Sequence, residues 1–477
     1  MQRIVIFLIL TAFLAASPLA LARKQHSGVH SKHKRVSAVR NVARDKPELV
    51  KPVQQVDSDL KPPQKCSSIA CADNAVKQTI TVSLASAKRA YDAGDYAKAA
   101  RLFRAMAERG NVLAQQKLGE MYYQGQGVPQ DYKEAAKWYR LAAEQGSDLA
   151  RQELAVMYDE GRGVTQDYKE AAKWYRLSAE QGNALAQQKL AVIYGEGQGV
   201  PQDYKEAAKW YLLAAEQGDA LAQQRIAVMY DEGLGIPQNY TEAVKWYRLA
   251  AEQGDALAQQ KLGGMYYRGQ GIPQDYEEAA RWYRLAAEQG DALAQLDLAI
   301  MYDEGQGVPQ DYKETEKWYR LAAEQGAVLA QQKLGKMYYR GQNVPQDYKE
   351  AEKWFRLAAE QGDALAQEKL GGMYYRGQGV PQDYKETEKW YRLAAAQGDD
   401  FAQLKLGEMY EFGKSVPQNY TLAYMWASIA ANSTTDSEIQ RRSARLRDAI
   451  TKSMTAEQIT EAQESARKCT AQKFKGC

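Results

Sequence analysis

The sequence predicts an all-α fold: an α/α-solenoid superhelix of nine 36-residue helical hairpins with capping helices at both ends. Three observations carry this prediction. The nine tryptophans of the chain, Trp138, Trp174, Trp210, Trp246, Trp282, Trp318, Trp354, Trp390 and Trp426, stand 36 residues apart throughout. Eight prolines from Pro129 to Pro417 keep a second register of the same period, with Thr165 in the one vacant slot. No insertion interrupts the nine copies, which run from Asn111 to Thr434 and fill 324 residues. A fixed period of this length marks stacked units, each unable to bury its apolar face alone.

The elements follow in order. Residues 1–22 read as a secretory signal peptide: Arg3, an apolar run from Ile4 to Ala16, then Pro18 and the small-residue site Ala20-Leu21-Ala22. Cleavage before Arg23 would place the body in a bacterial periplasm or the medium, with no transmembrane segment left. The alternative is an uncleaved anchor, the run being near the lower length limit for a span. Residues 23–75 read as a disordered basic tether, holding His26, His30, His33 and four prolines without helical or strand periodicity. From Arg23 to Lys65 eleven Lys/Arg stand against four Asp/Glu. This arm reads equally as a solvated spacer or as an attachment to an anionic surface such as phospholipid or cell-wall polymer. Residues 76–110 carry a shorter hairpin pattern, expected to cap the array.

Within a copy, Asp219 to Gly254 shows the pattern. Asp219 is the N-cap of a first helix, a slot that Asn111, Ser147, Asn183, Asp255, Asp291, Asp363 and Asp399 fill equally well and Ala327 does not. Ala222, Ile226, Met229 and Tyr230 recur at helical spacing, and Gly233 and Gly235 end the helix. Asn239 opens a second helix, with Glu242 three residues on as a capping box. Tyr240, Ala243, Trp246, Tyr247, Ala250 and Ala251 form its apolar stripe. Small alanines offer grooves and large rings fill them, so the tryptophans read as core rather than as ligand platforms. Residues 435–477 hold one or two amphipathic helices, one starting at Thr455 with Gln458 completing a capping box. The spacing of the four cysteines allows two local bridges, Cys66–Cys71 and Cys469–Cys477.

The period and the string Leu118-Gly119, Met121-Tyr122, Gly125, Gly127-Val128-Pro129, Asp131-Tyr132, Ala135, Trp138-Tyr139, Ala142-Ala143, Gly146 resemble the Sel-1-like repeat, a branch of the tetratricopeptide-type α-solenoids. The stretch AYDAGDYAKAARLFRAMAERG before it looks like a degenerate tetratricopeptide hairpin. The resemblance implies an adaptor that assembles protein complexes, with first helices lining a concave face, and in exported bacterial members a role at the envelope. One cysteine-rich branch is credited with penicillin binding or β-lactamase activity. That branch resembles a disulfide in each repeat, and the nine copies here contain no cysteine. Its activity is not carried over.

Composition narrows the function further. Charged residues at 26% exclude a polytopic membrane protein, and 45% hydrophobic residues exclude a wholly disordered chain. All three histidines lie in the arm, so the folded region lacks the commonest general base and metal ligand. No metalloprotease, P-loop or dinucleotide fingerprint is present, and no cofactor, metal or catalytic residue is expected. An acidic array outside the cytoplasm argues against nucleic acid. The informative positions are those where near-identical copies differ, at the end of the first helix. One class is acidic: Asp159-Glu160, Asp231-Glu232 and Asp303-Glu304. The other is Tyr123, Tyr267-Arg268, Tyr339-Arg340 and Tyr375-Arg376. Acids at a helix C-terminus oppose the helix dipole unless neighbouring copies supply cations. These thirteen residues are the expected partner-binding candidates, in a groove acidic toward one end and Tyr/Arg-rich toward the other. The partner is expected to be a protein; a module directed to peptidoglycan or an anionic polymer is the alternative.

Overall fold

The computed structural model describes residues 84–474 apart from 343, 415 and 416. The expected signal peptide, the basic arm and Cys66, Cys71 and Cys477 lie outside the described residues. All regular elements among the described residues are helices. Internal contacts divide the chain into two units, Met1–Asp203 and Tyr204–Cys477.

In the first unit, residues 84–92 are helical and Asp95 caps the helix Tyr96–Ala107. Copies one and two follow as Val112–Gln124 with Tyr132–Glu144 and Asp148–Glu160 with Tyr168–Ala179, then Ala184–Glu196 opens copy three. The second unit begins with Tyr204–Glu216 and continues through six hairpins, the first being Ala220–Glu232 with Tyr240–Glu252 and the last Asp400–Phe412 with Tyr420–Ser433. Two helices, Ser437–Ile450 and Ala456–Ala471, end it, the second opened by the expected Thr455/Gln458 capping box. Cys469 is buried and disulfide-bonded, to a partner outside the described residues.

The caps explain why each helix starts where it does. The Asp219 carboxylate accepts from the Ala222 N–H at 2.7 Å, and Ala327 alone in its slot makes no side-chain cap. Asn239 accepts from Thr241 and Glu242. The reciprocal half of the expected box is absent, and in four copies the glutamate of this slot accepts from the tryptophan four residues on, as Glu314 does from Trp318 Nε1 at 2.8 Å. Trp246 Nε1 and its equivalents in Trp138, Trp174, Trp210 and Trp426 make no hydrogen bond. One turn of helix brings residues four apart onto the same face, and a buried indole N–H wants an acceptor. Trp246 is 5% exposed and Tyr247, Ala243 and Ala250 are wholly buried, so the rings are core.

Polar side chains finish what the helices leave open. Buried Gln259 donates to the Ala251 carbonyl at 3.0 Å and accepts from Gln289 at 2.8 Å, clamping the turn between copies. Equivalent glutamines repeat this from copy to copy, and Arg151 substitutes in copy two. A turn carbonyl buried without such a donor would be orphaned. Gln274 donates to the Tyr267 carbonyl at 2.8 Å, closing the end of the first helix. The two loop glycines do different work. Gly269 takes φ +67° as the left-handed cap of its helix. Gly271, at φ +69°, lies so close to the Tyr240 carbonyl of the preceding copy that a Cβ would stand 2.4 Å from it.

Successive copies are also joined by an arginine of one second helix bonded to a tyrosine of the next first helix. Arg248 reaches Tyr266 at 2.6 Å and Arg320 reaches Tyr338 at 2.6 Å, and Arg140–Tyr158, Arg284–Tyr302 and Arg392–Tyr410 repeat it. Leu212 replaces the arginine ahead of Tyr230, so that junction lacks the link.

Candidate functional site

The thirteen candidate residues occupy the last two positions of the first helices. In each copy the first of the pair is half-buried and the second exposed. Sequence alternation at this place is coupled to a position four residues earlier. Gly119, Gly263, Gly335 and Gly371 precede the tyrosine copies, whereas Ala155, Ala227 and Ala299 precede the acidic ones. A Cβ at Gly263 would stand 2.9 Å from the Tyr283 ring, and one at Gly371 would stand 2.8 Å from Tyr391. With glycine, the second-helix ring presses against the first helix. With alanine, in two of the three copies its hydroxyl approaches the acid instead: Tyr175 donates to Asp159 and Tyr247 to Asp231, at 3.5 Å each, whereas the buried Tyr319 hydroxyl makes no hydrogen bond.

The tyrosines are inter-copy staples. Tyr123, Tyr267, Tyr339 and Tyr375 pack edge-on against Tyr132, Tyr276, Tyr348 and Tyr384, with centroids 5.1 to 5.5 Å apart. Their hydroxyls reach the loop of the following copy: Tyr123 accepts from Arg162 at 2.5 Å, Tyr267 donates to Gln306 at 2.9 Å and Tyr375 accepts from Lys414 at 2.9 Å. Tyr339 and Arg376, two candidates from adjacent copies, meet at 3.1 Å. Arg268 bonds Gln270 of its own loop at 2.7 Å.

The acids are not left against a helix dipole alone. Burial raises the Asp159 and Asp231 carboxyls, while Lys189, and Lys261 with Arg268, pull them down from the next copy. Burial raises Glu232 as well, with Lys261 opposing. Glu160 pairs with Arg162 at 2.7 Å. Glu153 is raised by burial and then by Glu120 and Glu160, so the first unit concentrates negative charge here. Asp303 and Glu304 both raise the Tyr319 hydroxyl, which burial lifts first.

The second unit holds both signs at this place: Asp231, Glu232, Asp303 and Glu304 belong to it, and copy seven is basic. Burial and then Arg340, Lys333 and Lys369 push the Lys336 ammonium down, with Asp303 opposing. Among the described residues Lys333, Lys336 and Arg340 make no ion pair, whereas Lys369 pairs with Glu368 at 2.8 Å. Phe412 takes the slot of Arg340 and Arg376 in copy nine and is 63% exposed. Lys333, Lys336 and Phe412 were absent from the sequence-derived candidates. The signal available was the departure of Phe412 from its eight equivalents; Lys333 repeats in most copies, and its lack of a partner is visible only in three dimensions.

A cleft of about 960 Å³ in the first unit surrounds Thr165, the vacant proline slot. Arg140 in its wall bonds the Tyr158 hydroxyl, and Lys173 lies 3.5 Å from Glu170. Among the described residues no group of three His, Cys, Asp or Glu side chains is placed to hold a metal. None of the helices described is long and apolar enough to cross a membrane.

Helical hairpins repeated every 36 residues and bonded copy to copy define an α/α-solenoid repeat protein. The Sel1 repeat family model matches residues 90–111, 112–147, 149–183, 184–219, 220–255, 256–291, 292–326, 328–363, 364–399 and 400–434. The chain belongs to the Sel1 repeat family. The first matched segment falls on the hairpin that precedes the nine copies. Among solved structures, the protective antigen c5321 of uropathogenic Escherichia coli strains, which displays an SLR fold, is 35% identical with a TM-score of 0.71, over 84% of this chain and 86% of that one. A Sel1 repeat protein of Oxalobacter formigenes is 35% identical with a TM-score of 0.53, over 65% of this chain and 89% of its own. No curated protein matches the chain. Sel1 repeat proteins are typically protein-interaction scaffolds, and the chain has that architecture.

Proposed function

We propose that the chain is a non-enzymatic protein–protein interaction scaffold, exported to the bacterial cell envelope or secreted, that binds partners along the face built by its first helices. The observation that carries this reading is the stripe in copies seven to nine. Lys333, Lys336 and Arg340 crowd like charges without a carboxylate partner, and exposed Phe412 stands in the slot that Arg340 and Arg376 hold. Unpaired cations repel one another until an acidic surface arrives, and arginine with an aromatic ring is the usual anchor of an interface. Export is supported by the signal-like residues 1–22 and by the E. coli relative, which is a protective antigen. Crosslinked capture from an envelope fraction should yield discrete partners with the native chain and lose them with Lys333→Glu, Lys336→Glu and Arg340→Glu combined. Unchanged capture by that variant, with helicity intact, would remove the groove from the reading.

A second reading rests on the charge of residues 23–65 and makes the arm a cell-wall attachment. Sedimentation with purified sacculi, with and without that stretch, separates it from the first.

A further inference from the structure

The ninth copy departs from the others where the two terminal helices cover it, and the departures converge on one cleft. Its volume is about 700 Å³, within the range of small-ligand sites. Ser428 holds the slot from which Arg392 of the preceding copy reaches Tyr410. No further copy follows to receive such an arginine, and the shorter side chain leaves its space open. Ser428 is 7% exposed and lines the cleft, and its hydroxyl has no hydrogen-bond partner. Tyr424 takes a slot held by alanine, valine or glutamate in earlier copies, and its hydroxyl accepts from Gln463 at 3.3 Å across the cleft wall.

Two guanidiniums complete the lining, and no carboxylate does. Arg447 directs Nε and Nη2 at a single oxygen of Asp448, at 3.1 Å each, which leaves Nη1 uncommitted. Arg467 donates Nε to the Gln463 carbonyl at 3.4 Å and makes no ion pair among the described residues. Ile429 and two alanines supply an apolar floor. A planar guanidinium matches a carboxylate in bidentate fashion, and a buried hydroxyl without a partner gains a bond when an oxyanion enters.

We infer that this cleft binds a carboxylate that carries a short apolar group, with Arg467 and Arg447 holding the oxygens and Ser428 donating from below. The carboxylate can belong to a free acid or to the last residue of a peptide. Calorimetric titration of the full chain with N-acetyl-leucine, N-acetyl-alanyl-leucine and N-acetyl-leucinamide distinguishes these sources. Both acids should bind and the amide should bind at least about tenfold more weakly; preference for the dipeptide assigns a peptide terminus, and equal binding a free acid. Arg467 is exposed, so Arg467→Gln folds normally and should weaken the acids about tenfold. Ser428→Ala should weaken them while leaving thermal stability of the free chain unchanged, since the hydroxyl bonds nothing there. Absence of binding by both acids, equal binding of the amide, or full affinity in Arg467→Gln would overturn the inference. Lys336→Glu should leave this affinity unaltered, so failure of the groove and failure of the cleft are separate results.

Discussion

Replacing Gly271 with alanine, beside the same change at Gly269, isolates the cost of one close approach. Both residues sit in the left-handed region, at φ +69° and +67°. Each substitution therefore carries the backbone penalty of a Cβ in that conformation, about 1–2 kcal/mol. At Gly269 the new Cβ meets the Gln274 Cβ at 3.3 Å and its backbone nitrogen at 3.4 Å, tight contacts that a shift of a few tenths of an ångström relieves. At Gly271 it meets the carbonyl carbon and oxygen of Tyr240 at 2.4 Å. Ordinary contact begins near 3.5 Å, so the loop and the preceding helix must part by about 1 Å. The start of that helix is pinned by the Asn239 cap, which makes the displacement an overpacking cost of about 1–3 kcal/mol. Gly269→Ala should thus lose ~1–2 kcal/mol and Gly271→Ala ~2–5 kcal/mol. Repeat arrays unfold in segments, so urea titration is best paired with hydrogen exchange read on the amides of Tyr240–Glu252. Equal losses for the two variants, or no loosening of that helix in Gly271→Ala, would refute the reasoning.

Two further outcomes follow from buried polar groups. Gln259→Ala removes the donor to the Ala251 carbonyl and strands Gln289, and should cost about 1–3 kcal/mol by chemical denaturation, where the same change at exposed Gln181 should cost little. Burial raises the Asp399 carboxyl to about 6, with Glu368 and Asp400 adding and Ala402 N–H and Lys369 opposing. The folded state therefore holds this proton more tightly than the unfolded one, and its contribution to stability is complete below about pH 4 and lost as pH rises through 6. Asn111 and Asn183 cap their helices just as Asp399 does. Asp399→Asn should keep the cap and, after allowance for partial exposure, gain about 1 kcal/mol at pH 7.5 and nothing at pH 4. A constant difference across that range would sink the assignment.

The fold was legible because the signals that set it are local and repeated. Asp219 and Gly233 bracket the first helix as the sequence predicts, Ala327 lacks its cap, and Thr455 with Gln458 opens the last helix. The sequence does not separate the two reaches open to the glutamate of the second helix, one to the N-cap and one to the tryptophan, because both are equally short along the chain. Glu314 chooses Trp318, where a buried N–H gains an acceptor. What was not legible is the packing around the candidate stripe: the hydroxyls of Tyr267 and Tyr339 hold the next copy's loop through bonds 39 residues apart, which no local pattern announces. The unpaired state of Lys336 likewise depends on what neighbouring copies fail to supply.

The bonds between copies all have fixed offsets: 18 residues from Arg248 to Tyr266, 30 from Gln289 to Gln259, and 39 from Tyr267 to Gln306. Adding or deleting a single residue between Tyr267 and Gln306, a span longer than one copy, would throw the 39-residue offset out of step, and within Gln259–Gln289 the 30-residue offset as well. Length can then change only by whole units of 36, so natural variants of this chain should differ in ladder-like steps, as a ruler is extended by complete divisions.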